Sequence, residues 1–269
     1  MDKEFAICIP TYERSDRLMG LGQHTLAYIG DSLNNNIFLF VRDKEEEAYL
    51  KVAEKYGVGL VTIPDSVDGI KGTRDEILRW AIGFDIDKLI MIDDDLRLDY
   101  KPNPKKYIRM VDGKYFNQMI YALMFHCEKD VPVVGITARQ FSDSKITPYQ
   151  VDTRIIQVFC LHVPTIKAED IWFSQFDIPF MTDYAFVLTM LQKGHHNICL
   201  NKYCRDDNSQ TPGGCSGVRT VELASKSAVR LSKMFPGIVT PYVKTTGTWD
   251  EPRVNVRISW KKAFKEKEN

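Results

Sequence analysis

Three consecutive carboxylates, Asp93-Asp94-Asp95, close the apolar run Leu89-Ile90-Met91-Ile92. A buried strand that ends in acids concentrates repulsion unless something positive sits beside it, and a divalent cation would remove that conflict. Strand alternation sends Asp93 and Asp95 to one side and Asp94 to the other. Carboxylate oxygens can then converge at the carboxyl end of a sheet, where α/β folds place their ligands. An all-oxygen donor set suits Mn²⁺ or Mg²⁺, which keep open positions for substrate phosphates. The bland alternative is a solvated acidic turn.

Further segments have anion-binding chemistry. Pro10-Thr11-Tyr12-Glu13-Arg14 directly follows the apolar run 5–9. Backbone N–H groups, a hydroxyl and a guanidinium fork could meet a phosphate or nucleoside there. Gly69-Ile70-Lys71-Gly72-Thr73-Arg74-Asp75 is a glycine-containing loop whose cations, Lys71 and Arg74, open a helix, a ready anion site. Each segment alone also fits an ordinary strand-to-helix turn with surface cations. Residues 253–265 hold five basic side chains (Arg253, Arg257, Lys261, Lys262, Lys265) and no acid, with Trp260 and Phe264 among them. Cations with an interleaved aromatic can grip phosphates and stack on a base. The same pattern fits a terminal strand with Val254, Val256 and Ile258 packed inward, followed by a basic tail.

These groups need elements to position them. A chain of 269 residues can bury a large core without disulfides or metals as staples. Wholly apolar runs at 5–9, 37–41, 58–63, 89–92 and 131–136 predict strands buried on both faces of a mostly parallel sheet. Between them, 45–56 reads as a helix ended by Gly57, and Thr73-x-x-Glu76 has capping-box form before Ile77, Leu78 and Ala81. The first 95 or so residues thus read as a β-α-β-α-β nucleotide-binding half. A polar segment, 99–112, precedes an amphipathic helix marked by Phe116, Met119, Ile120, Leu123 and Cys127. Beyond it, a strand is predicted at 155–163, a helix at 182–193 capped by Thr182, and another at 221–234. The loop 205–219 is too long for a simple connector and reads as functional.

The 36 basic and 36 acidic residues cancel, which argues against a whole-protein basic field. No apolar run approaches the length of a membrane span. The acid-bearing start Met1-Asp2-Lys3-Glu4 and the short apolar run before Pro10 do not fit a secretory leader. The six cysteines lack any C-x-x-C pair, so the expectation is a reduced, cytoplasmic protein with no membrane partner. His195-His196-x-x-Cys199 followed by Cys204 fits no common zinc spacing.

An apolar strand ending in Pro10-Thr11-Tyr12-x-Arg14, a helix start of the form G-x-x-x-x-R-[DN] at 69–75 and a strand ending in Asp93-x-Asp95 occur in that order. Together they resemble the GT-A nucleotide-sugar glycosyltransferases, especially the family-2-like group. The resemblance implies an α/β, Rossmann-like GT-A fold in one domain, 1–269. That domain would have a nucleotide-sugar-binding half at 1–98, an acceptor-side half at 99–250 and a basic C-terminal tail at 251–269. It implies that Asp95 is the principal metal ligand, with Asp93 on the metal or the ribose beside Asp94. Pro10, Thr11, Tyr12 and Arg14 fall where the nucleoside is held, and Lys71 and Arg74 on the base and phosphate side. Thr182-Asp183, leading into a helix that stops at Gly194, matches the family's element for the general base, so Asp183 would deprotonate the acceptor in an inverting transfer. Its structural alternative is a carboxylate that stabilises a helix N-terminus. Two departures stand out: the second strand ends Val41-Arg42-Asp43 where a D-D-G-S-type turn is usual, so Asp43, the candidate for donor-base recognition, lacks the family's usual setting, and Thr182 replaces the usual acid. No Q-x-x-R-W element occurs, which argues against a processive polysaccharide synthase.

Arg205-Asp206-Asp207-Asn208, the glycine-rich Thr211–Thr220 stretch and the ending around Asn255, Arg257, Trp260, Lys261 and Lys262 look similar to the phage TET/JBP-associated glycosyltransferases. That likeness implies a UDP-linked sugar donor, Arg219 on its diphosphate, Asp207 near the metal, and DNA carrying a 5-hydroxymethylpyrimidine as acceptor in the host cytoplasm. Arg257, Trp260, Lys261 and Lys262 would then contact the nucleic acid. The rivals are the same chemistry on a saccharide, lipid or small molecule, a nucleotidyltransferase, and a non-catalytic DNA-binding module.

Overall fold

Apolar runs without polar alternation make strands buried on both faces. The computed structural model describes residues 4–20, 22–111, 113–143, 145–207, 213–214, 219–246 and 251–265. In it the first four runs become β1 (Phe5–Pro10), β2 (Ile37–Arg42), β3 (Gly59–Ile63) and β4 (Lys88–Ile92). The helices among them are α1 (Ser15–Met19), α2 (Glu46–Tyr56) and α3 (Gly69–Gly83). Then follow β5 (Leu96–Asn103), β6 (Lys106–Arg109), α4 (Lys114–His126), β7 (Val133–Ala138), β8 (Tyr149–Val151), β9 (Val158–His162) and α5 (Val163–Glu169). The chain ends through α6 (Thr182–Gln192), β10 (Asn197–Asp207), α7 (Val221–Met234), β11 (Val239–Lys244), β12 (Arg253–Ile258) and α8 (Trp260–Ala263).

The main sheet has the order β3-β2-β1-β4-β9-β7-β10-β5-β6, with β8 on β10. β3, β2, β1 and β4 are parallel neighbours. β9 runs against both β4 and β7, so β7 and its parallel partner β10 point the same way as β1. The sheet is therefore mostly parallel, and the carboxyl ends of β1, β2, β3 and β4 open on one edge. Alternation divides each strand between two cores: Ala6 and Cys8 of β1 pack with α3, α5, α6 and α7, whereas Phe5, Ile7 and Ile9 pack with α1, α2 and α4. Among the described residues, no helix is long and apolar enough to cross a membrane.

The structure differs from the sequence reading where local signals compete. α3 begins one turn before the Thr73 signal, after Asp68, and the Thr73 hydroxyl donates inside the helix to the Gly69 carbonyl at 2.9 Å. Thr182 is the first residue of α6 instead of its cap; Met181 takes the cap position at φ 64°. The polar segment 99–112 supplies most of a β5–β6 hairpin, because Asp99 is buried between Arg109 at 3.2 Å and Arg139 at 3.1 Å, so paired charges stand at core-facing positions. The run 155–163 divides at its ends: Gln157 sits at φ 65° before β9, and Val163 opens α5. β10 extends through 205–207 of the expected loop, which leaves 208–212 and 215–218 outside the described residues.

Asp75, of the R-[DN] pair, is fully buried and accepts from the N–H groups of Phe173 at 2.7 Å and Ser174 at 3.0 Å. It thereby fastens α3 to the 3₁₀ turn Phe173–Gln175. Asp75→Ala strands these donors and is expected to lower unfolding stability by about 3 kcal/mol. A denaturation midpoint equal to wild type in guanidinium would show that the two segments do not depend on this carboxylate.

Candidate active site

A cleft of about 850 Å³ opens at the carboxyl edge of β1, β2, β3 and β4 and is closed on its other side by α6 and β12. The geometry starts at the acid triplet. Asp94 turns beneath β1 and is 2% exposed. The Thr11 hydroxyl donates to it at 2.6 Å, and the Arg14 guanidinium pairs with it directly. The other arm of Arg14 reaches Asp95 at 3.2 Å. Tyr49 of α2 braces this clamp: its hydroxyl accepts from the Arg14 N–H at 3.0 Å and lies 2.9 Å from the Thr11 hydroxyl. Asp93 is held separately, by Arg74 at 3.0 Å, while its own N–H donates to the Gln157 carbonyl at 3.0 Å. Arg74, 4% exposed, lies over the rings of Phe159 and Phe173 at 5.3 and 5.5 Å.

Two unusual backbone positions shape the wall. Gln157 and Met181 adopt φ 65° and 64° without being glycine, a conformation that costs energy and concentrates at functional sites. The Gln157 side chain accepts from buried Arg205, so β10 props the segment that holds Asp93. Met181 turns the chain so that the first turn of α6 carries Asp183 and Tyr184 into the cleft. At the entrance, Gly214 donates its N–H to the Tyr12 carbonyl at 3.0 Å, and Arg14 donates to the Gly213 carbonyl at 3.2 Å. A Cβ on Gly213, whose φ is 83°, would lie 2.6 Å from the Glu13 carbonyl oxygen, so only glycine permits this approach.

Charge is incompletely balanced. Asp95 is pushed up to about 7 by burial and by neighbouring Asp94, against the pull of Arg14. Burial also raises Asp94 and Asp183; for Asp183, Arg74 and Arg154 work in the opposite direction. Among the described residues, no three His, Cys, Asp or Glu side chains converge as a metal cage. Asp93 and Asp95 nevertheless offer hard oxygen donors in a place short of positive charge, which fits a cation that takes its other ligands from phosphates and water.

Of the residues singled out in the sequence, Pro10, Thr11, Tyr12, Arg14, Arg74, Asp93, Asp94, Asp95, Asp183 and Arg219 all line this cleft. Arg219 lies over the Phe180 ring at 5.3 Å. Lys71 is not among the lining residues; its ammonium pairs with Asp68 at 2.9 Å. Asp43 opens the 3₁₀ turn Asp43–Glu45 beside the cleft, and its neighbour Lys44 lines the wall, donating to the Tyr12 hydroxyl at 2.9 Å. The Asp207 side chain lies outside the described residues, but its backbone pairs with Leu96, next to Asp95. Trp260, Lys261 and Lys262 line a neighbouring cavity, and Arg257 stands over the Tyr242 ring at 5.6 Å. Residues 253–263 are not a loose extension: β12 pairs with β11, and Ala263 of α8 is fully buried. His195 and His196 face Glu169 at 2.6 Å and Asp152 at 2.9 Å.

The sequence reading missed Tyr49, Arg42, Arg154 and Gln157. Tyr49 looks like any core residue of a helix, and Arg42, 8% exposed, donates to the Val67 carbonyl at 2.8 Å. A cation directly before the apolar run 155–163 was the one available sign of Arg154.

The Asp95 shift has a testable sign. Its folded value, about 7, exceeds the ordinary 3.8, so the folded state keeps a proton that the unfolded chain releases. Its contribution to stability is present below about pH 4 and is lost as pH rises through about 7. In chelator-treated protein, the unfolding temperature of wild type should therefore fall relative to that of Asp95→Asn as pH rises from 4 to 7. Parallel curves would contradict the buried, under-neutralised carboxyl.

The family model for TET-associated glycosyltransferases matches residues 5–214. Two curated relatives share the name beta-glucosyl-HMC-alpha-glucosyl-transferase. The protein of Enterobacteria phage T6 is 25% identical over 85% of this chain and 80% of its own. That of Enterobacteria phage T2 is 27% identical over 74% of this chain and 72% of its own. Among solved structures, S. aureus TarS 1–349 in complex with UDP-GlcNAc superposes with a TM-score of 0.55 at 12% identity over 85% of this chain. The match spans 66% of the TarS chain; at that identity the likeness is one of fold, and the fold is GT-A. With the family model spanning the main sheet, the acid triplet and α6, the chain belongs to the TET-associated glycosyltransferases.

Proposed function

We propose that this glycosyltransferase moves a sugar from a UDP-linked donor to a hydroxyl on hydroxymethylcytosine in DNA, with inversion at the anomeric carbon. The observation that carries the reading is one cleft that gathers Asp93 and Asp95 at the sheet edge and Asp183 across from them. The curated relatives' name, which couples glucosyl groups to HMC, supports the acceptor. The UDP-GlcNAc held by the structural neighbour supports the donor class. The name also leaves two hydroxyls in view: that of the hydroxymethyl group and one on a glucose already attached. The phage origin of the curated relatives supports a reaction in the cytoplasm of a host cell.

Residues 1–98 take the donor and the second half presents the acceptor. Thr11, Arg14 and Tyr49 keep the triplet in place while Tyr12 and Lys44 flank the nucleoside end. Asp93 and Asp95 would hold Mn²⁺ or Mg²⁺, which when bound offsets the charge of the diphosphate leaving group. Arg219, at the cleft wall, supplies a further guanidinium to the diphosphate. Asp183 takes the acceptor's hydroxyl proton as the new C–O bond forms at the anomeric carbon and the bond to the diphosphate oxygen breaks with its electron pair. Burial raises the basicity of Asp183, and the charges of Arg74 and Arg154 pull in the opposite direction.

The test is mass spectrometry of nucleosides digested from hydroxymethylcytosine DNA, bare or glucosylated, after incubation with the protein, Mn²⁺ and UDP-sugars. A sugar-sized gain on the modified base, with UDP released and the anomeric configuration inverted by NMR, is expected. Metal-dependent donor binding without any gain on DNA would remove the acceptor, and pyrophosphate release would remove the reaction class. Asp95→Ala and Asp183→Asn should each reduce turnover by at least ~10²-fold, the latter with donor affinity retained. Wild-type turnover in either variant would remove the role of that residue.

A further inference from the structure

Beside the donor cleft lies a second cavity of about 510 Å³, lined by Thr147, Gln150, Asp152 and Thr153 on one side and by Trp260, Lys261 and Lys262 on the other. Its volume falls in the range of small-molecule sites. The two spaces share a wall at the Asp183 end of the cleft. Thr153 lines the second cavity and Arg154, the next residue, lines the first. The Arg154 guanidinium lies over the Tyr184 ring at 5.3 Å, and Tyr184 meets Trp260 edge to face at 5.8 Å. The cavity thus adjoins the proposed base and lies away from Lys44, Arg42 and Asp65 at the nucleoside end.

The wall is built. The Ser259 N–H donates to the Ile238 carbonyl at 2.9 Å and the Lys265 N–H to the Leu191 carbonyl at 3.1 Å, which fasten α8 at both ends. Phe264 stacks on His196 at 3.9 Å, and His196 in turn lies 2.9 Å from the Asp152 carboxylate. Asp152 holds a left-handed backbone at φ 52° at the cavity's edge. Lys261 and Lys262, by contrast, are exposed and mark the rim with positive charge on a chain whose net charge is zero. α8 lies beyond residues 5–214 that match the family model, whereas the facing residues 147–153 lie within them.

We propose that this cavity is an acceptor subsite that holds a nucleotide of the DNA strand next to the one being glycosylated. The proposal rests on the DNA acceptor argued above. Trp260 offers a face to the base, Lys261 and Lys262 neutralise its flanking phosphates, and the Gln150 amide with the Thr153 hydroxyl supplies hydrogen bonds at the base edge. The neighbouring nucleotide is thereby fixed on the Asp183 side, and the target hydroxyl is directed across Tyr184 into the cleft. A lipid or acidic-protein contact would not call for an aromatic ring set among hydrogen-bonding side chains and two lysines.

The experiment compares wild type with Trp260→Ala, Trp260→Phe and Lys261→Ala/Lys262→Ala. It measures affinity for a single-stranded hydroxymethylcytosine oligonucleotide by fluorescence anisotropy at several salt concentrations, donor affinity by calorimetry, and KM and kcat for both the oligonucleotide and free 5-hydroxymethyldeoxycytidine. Expected are a KM for the oligonucleotide raised about tenfold or more in Trp260→Ala, partial recovery in Trp260→Phe, and a kcat close to wild type. The double lysine variant should lower the slope of log affinity against log salt by about 1.4, as for two single-strand phosphate contacts. Free nucleoside, which spans no neighbouring position, should show no change in KM. Unchanged oligonucleotide affinity in the lysine variant, or an equal rise of KM for oligonucleotide and nucleoside, overturns the subsite while leaving the transfer reaction standing. Wild type that neither binds nor modifies the oligonucleotide overturns the DNA reading together with the subsite.

Discussion

Arg14 lies between two carboxylates at the end of a buried sheet, and the first half of the molecule is arranged around that contact. Asp94, 2% exposed, has lost nearly all of its water. A charge in that position is tolerable only when a partner and hydrogen bonds replace the solvent. The replacement comes from three directions. Arg14 follows directly on β1, the Thr11 hydroxyl donates from the same turn, and Tyr49 reaches across from α2 to fix both. Because Arg14 also binds the Gly213 carbonyl, the same guanidinium ties a distant glycine pair to the entrance. Breaking such a pair by removing one partner leaves the other charge buried and is far more damaging than its net worth suggests.

The compensation at the edge of the sheet stops short of neutrality. Asp95 shares the second arm of Arg14 at 3.2 Å and retains its proton up to about pH 7. Asp183, brought in from α6, is pushed in the same direction by burial. The cleft thus pairs acids that want a cation with arginines that suit phosphates, the electrostatic complement of the proposed donor and its metal. At the second cavity the balance differs, since α8 brings Lys261, Lys262 and the Trp260 indole beside the single carboxylate of Asp152.

Much of this was legible in the amino-acid order. Runs that are apolar throughout have one stable home, a strand covered on both faces, so the positions of β1, β2, β3 and β4 follow from pattern alone. The gathering of ten singled-out residues in one cleft follows from their places at strand ends and helix starts, because parallel strands deliver their carboxyl ends to a common edge. Helix boundaries at Thr73 and Thr182 were less secure. Capping residues advertise a start, but the actual start was decided by where Gly69 and Met181 could turn the backbone. The β5–β6 hairpin escaped the pattern altogether, since Asp99 is a buried charge held by Arg109 on the opposite strand and by the more distant Arg139, so that its core-facing positions are polar.

By itself the sequence determined the strand-helix order of the first 95 or so residues, the acid triplet at a strand end, the cations near it and the basic, aromatic stretch at 253–265. These depend on neighbours within one element, where hydrophobic period and residue type suffice. Only the tertiary structure decided which cations meet which acids: Lys71 remains with Asp68, whereas Arg14 and Arg74 divide the triplet. Only it brought Tyr49 beneath Thr11, Gln157 behind Asp93, Trp260 of α8 against Tyr184 of α6, and α8 beside residues 147–153 at a second cavity. Apart from the local Lys71–Asp68 pair, such pairings join residues roughly twenty to eighty positions apart. Their selection rests on sheet order and on the need of every buried charge for a partner, neither of which is written in any local stretch of the chain.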